Sequence, residues 1–187
     1  MIFSGDATRI SNIVLSGYSV TTLPCSICSL SSLVQLTFND SILTCLPDSI
    51  GDLTSLTYLD VSNNELTFLP ESIVNLTSLT YLDVRNNKLT DLPDSICNLS
   101  SLTILSVGNN KLLDIPDMIG NLTCLSELYF HNNQWDYLSV SIDSLANLTS
   151  LYISNNPITS TKDARDEVLL RFGRAGLTIG VRYRRYV

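Results

Sequence analysis

Apolar residues recur along this chain with a period of 23 residues. In each of seven units, which start at residues 10, 33, 56, 79, 102, 125 and 148, positions 0, 3, 5 and 10 are all hydrophobic. Position 14 is Pro in the first five units, while positions 17 and 20 are Ile and Leu in the first six. A fixed period of this length predicts a solenoid, in which each unit buries its apolar face against its neighbours.

Each unit contains two kinds of pattern. Its first half alternates between apolar and polar residues, as in residues 57–62, and this alternation predicts a β-strand. Its second half starts with Leu-Pro, which cannot continue a strand ladder because proline has no N–H. The Ile and Leu that follow are three residues apart, as on one face of a short helical turn. We therefore predict an α/β fold, with a parallel β-sheet on the concave face and short helical or 3₁₀ turns on the convex face.

The consensus of the units, LxxLxLxxNxLxxLPxxIxxLxx, resembles the leucine-rich repeat in its 23-residue form, and residues 53–75 are close to an ideal copy. The subtype resembles the plant intracellular Ras-group-related proteins and the Ras-suppressor-like proteins. This resemblance implies a horseshoe-shaped solenoid. It also implies an intracellular adaptor or scaffold, with a partner in a small GTPase or phosphatase pathway.

The ends of the chain do not follow the repeat. We predict that residues 1–9 are a short N-terminal extension, that residues 10–161 hold the seven repeats, and that residues 162–187 are a C-terminal cap. In the cap, a helix of about residues 161–174 would place Ala164, Val168, Leu169 and Phe172 on one face, and we expect it to stop at Gly176. From Leu177 onwards the alternating pattern predicts a covering strand.

Position 8 of the units is a column of asparagines. An amide side chain can donate two hydrogen bonds and accept others, so it can satisfy backbone groups that the turn after each strand leaves unpaired. We expect these asparagines to be buried and structural, and the first two units, with Tyr18 and Ser41 at this position, to be less regular. The predicted ladder consists of Asn64, Asn87, Asn110, Asn133 and Asn156.

The outward strand positions 2, 4 and 6 differ from unit to unit, and we expect a binding surface there. They place tyrosines in two columns, with a charged patch between them. Protein interfaces are enriched in Tyr and Arg, although tyrosines also pair across strands without binding anything. We predict a protein-binding concave face that contains Tyr58, Asp60, Tyr81, Asp83, Arg85, Tyr129, His131 and Tyr152.

Composition and charge exclude several classes of protein. The chain has 187 residues, of which 44% are hydrophobic and 16% charged, as in a globular domain. Residues 1–161 contain 4 basic and 15 acidic residues, a net charge of −11, which opposes binding to a nucleic-acid backbone. Residues 162–187 carry a net charge of +4, and we interpret the arginines from Arg182 onwards as solvated side chains of the cap.

The sequence offers little chemistry. It has one histidine, His131, and it lacks a phosphate-binding loop, a dinucleotide fingerprint and a nucleophile elbow, so we predict no enzymatic activity. Cys25 and Cys28 form the one close cysteine pair, and with a single distant histidine they fall short of the four ligands of a zinc site. We expect five reduced structural thiols, no metal and no cofactor.

The compartment and the partner are predicted from the N-terminal sequence, the lengths of the apolar runs and the glycosylation sites. The N-terminus lacks the basic and apolar regions of a secretory signal, and no apolar run is long enough to cross a bilayer. We therefore expect a cytoplasmic monomer whose partner is another protein. The alternative is an extracellular or cell-surface recognition module with glycosylated repeats, since the chain has five Asn-x-Ser/Thr sites, of which Asn75, Asn98 and Asn121 share position 19 and the others are Asn39 and Asn147.

Overall fold

The sheet is built from one short strand of each unit. The computed structural model describes residues 10–137, 139–173 and 177–180, whose eight parallel strands follow one another in chain order. Neighbouring strands pair one repeat apart, so that Tyr58 lies opposite Tyr81 and each repeat position forms a column across the sheet. The strands are β1 (Asn12–Ser16), β2 (Gln35–Asn39), β3 (Tyr58–Asp60), β4 (Tyr81–Asp83), β5 (Ile104–Ser106), β6 (Glu127–Tyr129), β7 (Ser150–Tyr152) and β8 (Thr178–Gly180).

Short 3₁₀ helices form the outer side of the stack. In units 1–4 each begins directly after the proline, whose φ of −61° to −67° starts the turn. The predicted solenoid with a parallel sheet and short turns is confirmed, and the turns of the repeats are of the 3₁₀ type. They span Cys25–Ser29, Asp48–Asp52, Glu71–Asn75, Asp94–Asn98, Ile119–Asn121, Val140–Ser144 and Pro157–Thr159.

The hydrophobic core lies between the sheet and the 3₁₀ layer. The apolar repeat positions of units 2–6 are buried along its whole length. Unit 1 differs, because Ile10 and Leu15 are only partly buried and Val20 is 38% exposed. Within residues 10–180, unit 1 has a neighbouring coil on one side only, which explains this exposure. The predicted extension over residues 1–9 lies outside the described residues.

After the last repeat, a helix and a strand complete the described chain. Helix α1 (Lys162–Phe172) begins at Thr161, whose Oγ1 accepts a hydrogen bond from Ala164 N at 3.1 Å. Val168 and Phe172 join the core, whereas Leu169, which we expected on the buried face, is exposed. Strand β8 pairs with β7. The predicted stop at Gly176 and the residues from 181 onwards lie outside the described residues.

The position-8 asparagines bond backbone groups of two adjacent coils. Asn87 Oδ1 accepts from Leu66 N at 2.9 Å, and its Nδ2 donates to Val61 O at 3.0 Å and Val84 O at 2.9 Å. The same arrangement recurs at the other four asparagines. Four of the five are buried, but Asn110, which we also expected to be buried, is only half-buried.

The position before each ladder asparagine has a left-handed backbone. In units 2–7 this position 7 is Asp or Asn with φ between 51° and 57°, and in unit 1 it is Gly17 with φ of 75°. Asp and Asn are the residues other than glycine that adopt this conformation most readily. Their side chains also bond between coils, as from Asn86 Nδ2 to Asn63 Oδ1 at 2.6 Å. We did not predict this second ladder, although the Asn-Asn pair of units 3–7 is visible in the sequence.

Candidate protein-binding site

Four tyrosines form two stacked pairs on the concave face. The Tyr58 and Tyr81 rings stack with their centroids 4.3 Å apart and their planes 2° from parallel, while Tyr129 and Tyr152 stack at 4.8 Å and 4°. Neighbouring strands of a sheet lie about 4.8 Å apart, so equal repeat positions bring two rings to stacking distance. All four side chains are half-buried. The two pairs stand on β3–β4 and on β6–β7, with β5 between them.

Two of the predicted site residues are less accessible than we expected. Asp60 and Asp83, which the outward repeat positions placed in an exposed charged patch, are 8% and 1% exposed. Each is at position 4, where its short side chain turns back to the strand, and its Oδ1 accepts from the backbone N–H two residues later, at 2.9 Å from Ser62 N and 3.0 Å from Arg85 N. These carboxylates are therefore bonded to their own strands and do not form an exposed charged patch.

Asp83 holds two neighbouring side chains in place. Its Oδ2 accepts a hydrogen bond from Tyr81 OH at 3.2 Å and lies 3.3 Å from Arg85 Nε. Burial raises the pKa of the Asp83 carboxyl, although its hydrogen bond with Arg85 N and the Arg85 charge oppose that shift. Burial also raises the pKa of Tyr81, and the Asp83 charge adds to the effect. Half of the Arg85 side chain stays exposed, so its guanidinium can reach a partner.

Glu127 belongs to the same surface, although we did not predict it as a site residue. It stands at position 2 of unit 6, and its Oε2 accepts from Tyr129 OH at 2.5 Å. This hydrogen bond, together with burial, raises the pKa of Tyr129 to about 12. Its outward position was the available sequence signal. Its pairing with Tyr129 two residues later became evident only from the structure.

The ring of His131 lies over Gly108 of the preceding unit. Unit 5 has Gly108 at the equivalent position 6, and a Cβ atom there would lie 2.5 Å from His131 Cε1. A glycine is therefore required for the ring to occupy this position. Burial, and then the nearby Arg85 charge, lower the pKa of the imidazole from its usual value. The uncharged ring can contact a partner through apolar atoms as well as through its nitrogens.

These side chains surround a shallow depression of about 240 Å³ on the concave face. Ile104 and Ser106 of β5 form its floor, β4 borders it on one side and β6 on the other. Of the eight predicted site residues, five line the depression, while Tyr58, Asp60 and Tyr152 lie on the strands beyond it. The lining residues are Tyr81, Asp83, Arg85, Ile104, Ser106, Glu127, Tyr129 and His131.

Among the described residues, no three His, Cys, Asp or Glu side chains are grouped to hold a metal ion. All five cysteines are free; Cys28 and Cys97 are buried, and Cys25 and Cys124 are exposed. Over residues 10–137, 139–173 and 177–180, no helix combines the length and the apolar character needed to span a bilayer.

The repeat geometry agrees with a family model, described as "Leucine-rich repeat region", that matches residues 48–171, about two thirds of the chain. The chain belongs to the leucine-rich repeat family. Leucine-rich repeat domains are typical protein-binding modules, and in general they bind other proteins or peptides without catalysing a reaction. No curated protein matches this chain.

Several solved leucine-rich repeat structures resemble this one. A Leptospira interrogans leucine-rich repeat protein is 28% identical over 92% of this chain and 49% of its own, with a TM-score of 0.70. An internalin from Listeria monocytogenes is 27% identical over 95% and 49%, with a TM-score of 0.75. The plant peptide hormone receptor RGFR1, in complex with RGF2, is 29% identical over 80% and 25%, with a TM-score of 0.74. The chain thus spans about half the length of the first two and a quarter of the receptor.

Proposed function

We propose that this leucine-rich repeat chain is a non-enzymatic module that holds another protein against its concave sheet. The depression over β5 is the observation that carries the proposal. One tyrosine of each stacked pair lines it, and its floor contains the small residue Ser106, so a partner side chain can enter between the pairs. Stacked tyrosines present a large contact area whose rotamers are already restricted, which lowers the entropic cost of binding.

The residues of this surface have different roles in the proposal. Tyr81, Arg85, Tyr129 and His131 are accessible enough to contact the partner, and Tyr and Arg are the residues in which binding energy concentrates. Asp83 acts indirectly, since it fixes Tyr81 and Arg85 from below. Substituting the contact residues should therefore weaken binding without a large loss of stability.

Affinity capture from cell extract, followed by identification of the bound proteins, would supply the partner for this test. With that partner, Tyr81→Ala and Arg85→Ala should each weaken binding by about 1–2 kcal/mol or more. Tyr137→Ala and Lys162→Ala are matched controls, because both residues are exposed and lie outside the concave face. Full affinity in the two concave variants, combined with a loss in Tyr137→Ala, would move the binding site off the sheet.

We further infer that the chain is a monomeric intracellular adaptor or scaffold, which works without a cofactor. Its likeness to the plant intracellular Ras-group-related proteins supports this, as do five free cysteines, which suit a reducing compartment. A partner in a small GTPase or phosphatase pathway is proposed on that likeness alone. Fractionation of cells that express an epitope-tagged chain should recover it in the cytosol, and recovery in the secreted fraction would contradict this inference.

An extracellular recognition module is the second candidate. The sequon asparagines at position 19 of units 3–5, and Asn147 of unit 6, are all exposed, and one of the similar structures is a peptide hormone receptor. If the chain enters the secretory pathway, peptide-N-glycosidase treatment should increase its electrophoretic mobility. Mutating all five sequon asparagines, Asn39, Asn75, Asn98, Asn121 and Asn147, to Gln should abolish this shift. An unchanged mobility would favour the intracellular role.

A further inference from the structure

Unit 5 departs from the repeat consensus at two surface positions. Position 11 is Thr in units 1–4 and position 16 is Ser in units 1–4 and 6, but unit 5 has Leu113 and Met118 there. These two side chains are 60% and 58% exposed, and Phe68, at position 12 of unit 3, is 47% exposed. The consensus shows that this fold accommodates polar residues at positions 11 and 16. Apolar exposure at such positions is a feature of surfaces that a partner covers.

These apolar residues border a groove on the flank of the solenoid, where the second half of each unit begins. One depression of about 550 Å³ lies between units 4 and 5, and another of about 520 Å³ crosses units 2–4. Both are lined by Asp91, so they adjoin one another. We name this surface the flank groove. It includes Phe68, Leu92, Leu113, Ile115 and Met118 together with the acidic residues described next.

The flank groove is strongly acidic. Six carboxylates line it, no Lys or Arg does so, and none of the six belongs to an ion pair within the described parts of the chain. Of those at position 15, Asp48, Glu71 and Asp94 start 3₁₀ turns, where a negative charge is favourable in any case. Asp117, at the same position of unit 5, precedes a turn that begins at Ile119. Those at position 12, Asp91 and Asp114, have no such role. The six are Asp48, Glu71, Asp91, Asp94, Asp114 and Asp117.

We propose that the flank groove is a second docking surface, which binds a basic peptide segment of another protein with apolar side chains set between its Lys or Arg residues. Charge complementarity selects the basic residues, because the six carboxylates lack a counter-charge. The apolar side chains of the segment would cover Phe68, Leu113 and Met118, and this burial would supply affinity. The groove crosses four units, roughly 14 Å at the strand spacing, which an extended segment of about five residues would span.

This surface is separate from the concave face. The groove is formed by positions 11–16 of the units, whereas the concave depression is formed by positions 2, 4 and 6. The two sets share no residue. A chain with both surfaces can hold two partners at once, which is the property that a scaffold requires.

The probe for this proposal is a fluorescent ten-residue peptide of alternating Leu and Lys, titrated with the full chain at physiological ionic strength. A peptide of alternating Ser and Lys has the same charge without the apolar side chains. We expect the Leu-Lys peptide to bind about tenfold more tightly than the Ser-Lys peptide, because only the former covers the apolar residues of the groove. Equal affinities, or no binding of either peptide, would overturn the proposal.

Two groove variants and one matched control locate the binding. Leu113→Thr/Met118→Ser restores the consensus of the other units, and Asp91→Asn/Asp114→Asn removes two charges. The control Asp166→Asn/Leu170→Ser makes one change of each kind, a lost carboxylate and a lost apolar side chain, at exposed residues of α1. Each groove variant should weaken binding of the Leu-Lys peptide about tenfold, while the α1 variant and Tyr81→Ala stay within about twofold of the wild type.

Equal losses in the groove and α1 variants would show that the peptide does not bind specifically at the groove, and would overturn the proposal. Sedimentation of the same proteins tests a different occupant. If the wild type is a dimer that the groove variants convert to a monomer, the surface is an interface between two copies of this chain. A peptide segment of another protein would then be the wrong occupant.

Discussion

At the residue scale, asparagine has two structural roles at adjacent positions of units 3–7. At position 7 its backbone adopts φ near +55°, which a β-branched residue would adopt only at a cost. At position 8 its amide bonds the backbone of two coils, as Asn87 does with Leu66 N and Val61 O. Turns that would otherwise leave polar groups unpaired beside the core are therefore satisfied by side chains.

The first prediction concerns the buried ladder. Replacing Asn87 by Leu removes the acceptor of Leu66 N and the donor to two carbonyls, inside a region that water does not reach. We expect Asn87→Leu to lower the free energy of unfolding by about 1–3 kcal/mol, measured by chemical denaturation. Asn98→Leu, at an exposed position, is the control and should change stability by less than about 0.5 kcal/mol. Equal stability in both variants would contradict the role of the ladder.

The second prediction concerns pH. Because burial lowers the pKa of His131 in the folded chain, the unfolded chain takes up this proton first as the pH falls below about 6.5. The His131 contribution to stability is complete above pH 6.5 and decreases below it. The chain has one histidine, so a single imidazole signal can be followed by NMR, and its midpoint should lie below 6.5.

A variant of Gly108, in the preceding unit, tests the cause of this pKa shift. Gly108→Ala places a Cβ where the His131 ring lies, so the ring must move towards solvent and its pKa should rise towards the usual value. Gly17→Ala is not a suitable control, because Gly17 has φ of 75° and the change would strain the backbone. Ser16→Ala, at an exposed position of β1, is suitable and should leave the His131 midpoint unchanged. A midpoint at or above 6.5 in the wild type would show that the ring is solvated.

At the element scale, the two ends of the described stack differ. Unit 1 leaves Val20 exposed, whereas unit 7 is followed by α1 and β8. Arg171 of α1 ties the helix to unit 6, since its Nε lies 3.0 Å from Asp143 Oδ1 and its guanidinium also bonds Ser139 O. Val168 and Phe172 cover the core at that end, as a capping element of a solenoid must.

The third prediction tests α1 as a cap. Phe172 is buried, so Phe172→Ala should lower the free energy of unfolding by about 3–5 kcal/mol. Leu170, two residues earlier, is 87% exposed, and Leu170→Ala should change it by less than about 0.5 kcal/mol. Denaturation of both variants by urea makes the comparison. Similar small losses in the two would show that α1 contributes little to the stack.

At the scale of the whole molecule, stability is shared between neighbouring coils. Each coil contacts mainly the one before it and the one after it, so local damage weakens adjacent units first. The fold also gives the molecule two chemically different surfaces, an aromatic concave face and an acidic flank groove. The exposed side chains of both surfaces lie outside the core, which leaves those side chains free to vary without loss of the fold.

The fourth prediction uses the cysteines as reporters on the whole stack. Titration with a thiol reagent at pH 8 should modify Cys25 and Cys124 quickly and Cys45 more slowly, in the order of their exposure. Cys28 and Cys97 should react only after denaturant unfolds the chain, because burial raises both pKa values, that of Cys97 to about 11. Cys124→Ser should remove one fast equivalent. Fewer than five thiols in unreduced, unfolded protein would reveal a disulfide and contradict the free-cysteine state.

The 23-residue period determined the architecture by itself. Apolar side chains at positions 0, 3, 5 and 10 have to leave water, and a stack of parallel coils buries them all in the same way, so one unit predicts the rest. The stacking of Tyr58 on Tyr81 was predictable for the same reason, because equal positions become neighbours. The end of each strand and the start of the turn at Leu-Pro were also predictable from the sequence, because proline has no N–H to continue the ladder.

Only the tertiary structure decided which outward side chains stay accessible. Asp83 and Tyr129 share position 4, yet Asp83 is buried and Tyr129 is half-buried. The short carboxylate turns back to the backbone beneath Tyr81 and Arg85, while the longer tyrosine rises above its strand. His131 likewise depends on Gly108, one coil away. Accessibility is set by the sizes of neighbours in adjacent columns, and a repeat pattern that treats each column separately does not contain that information.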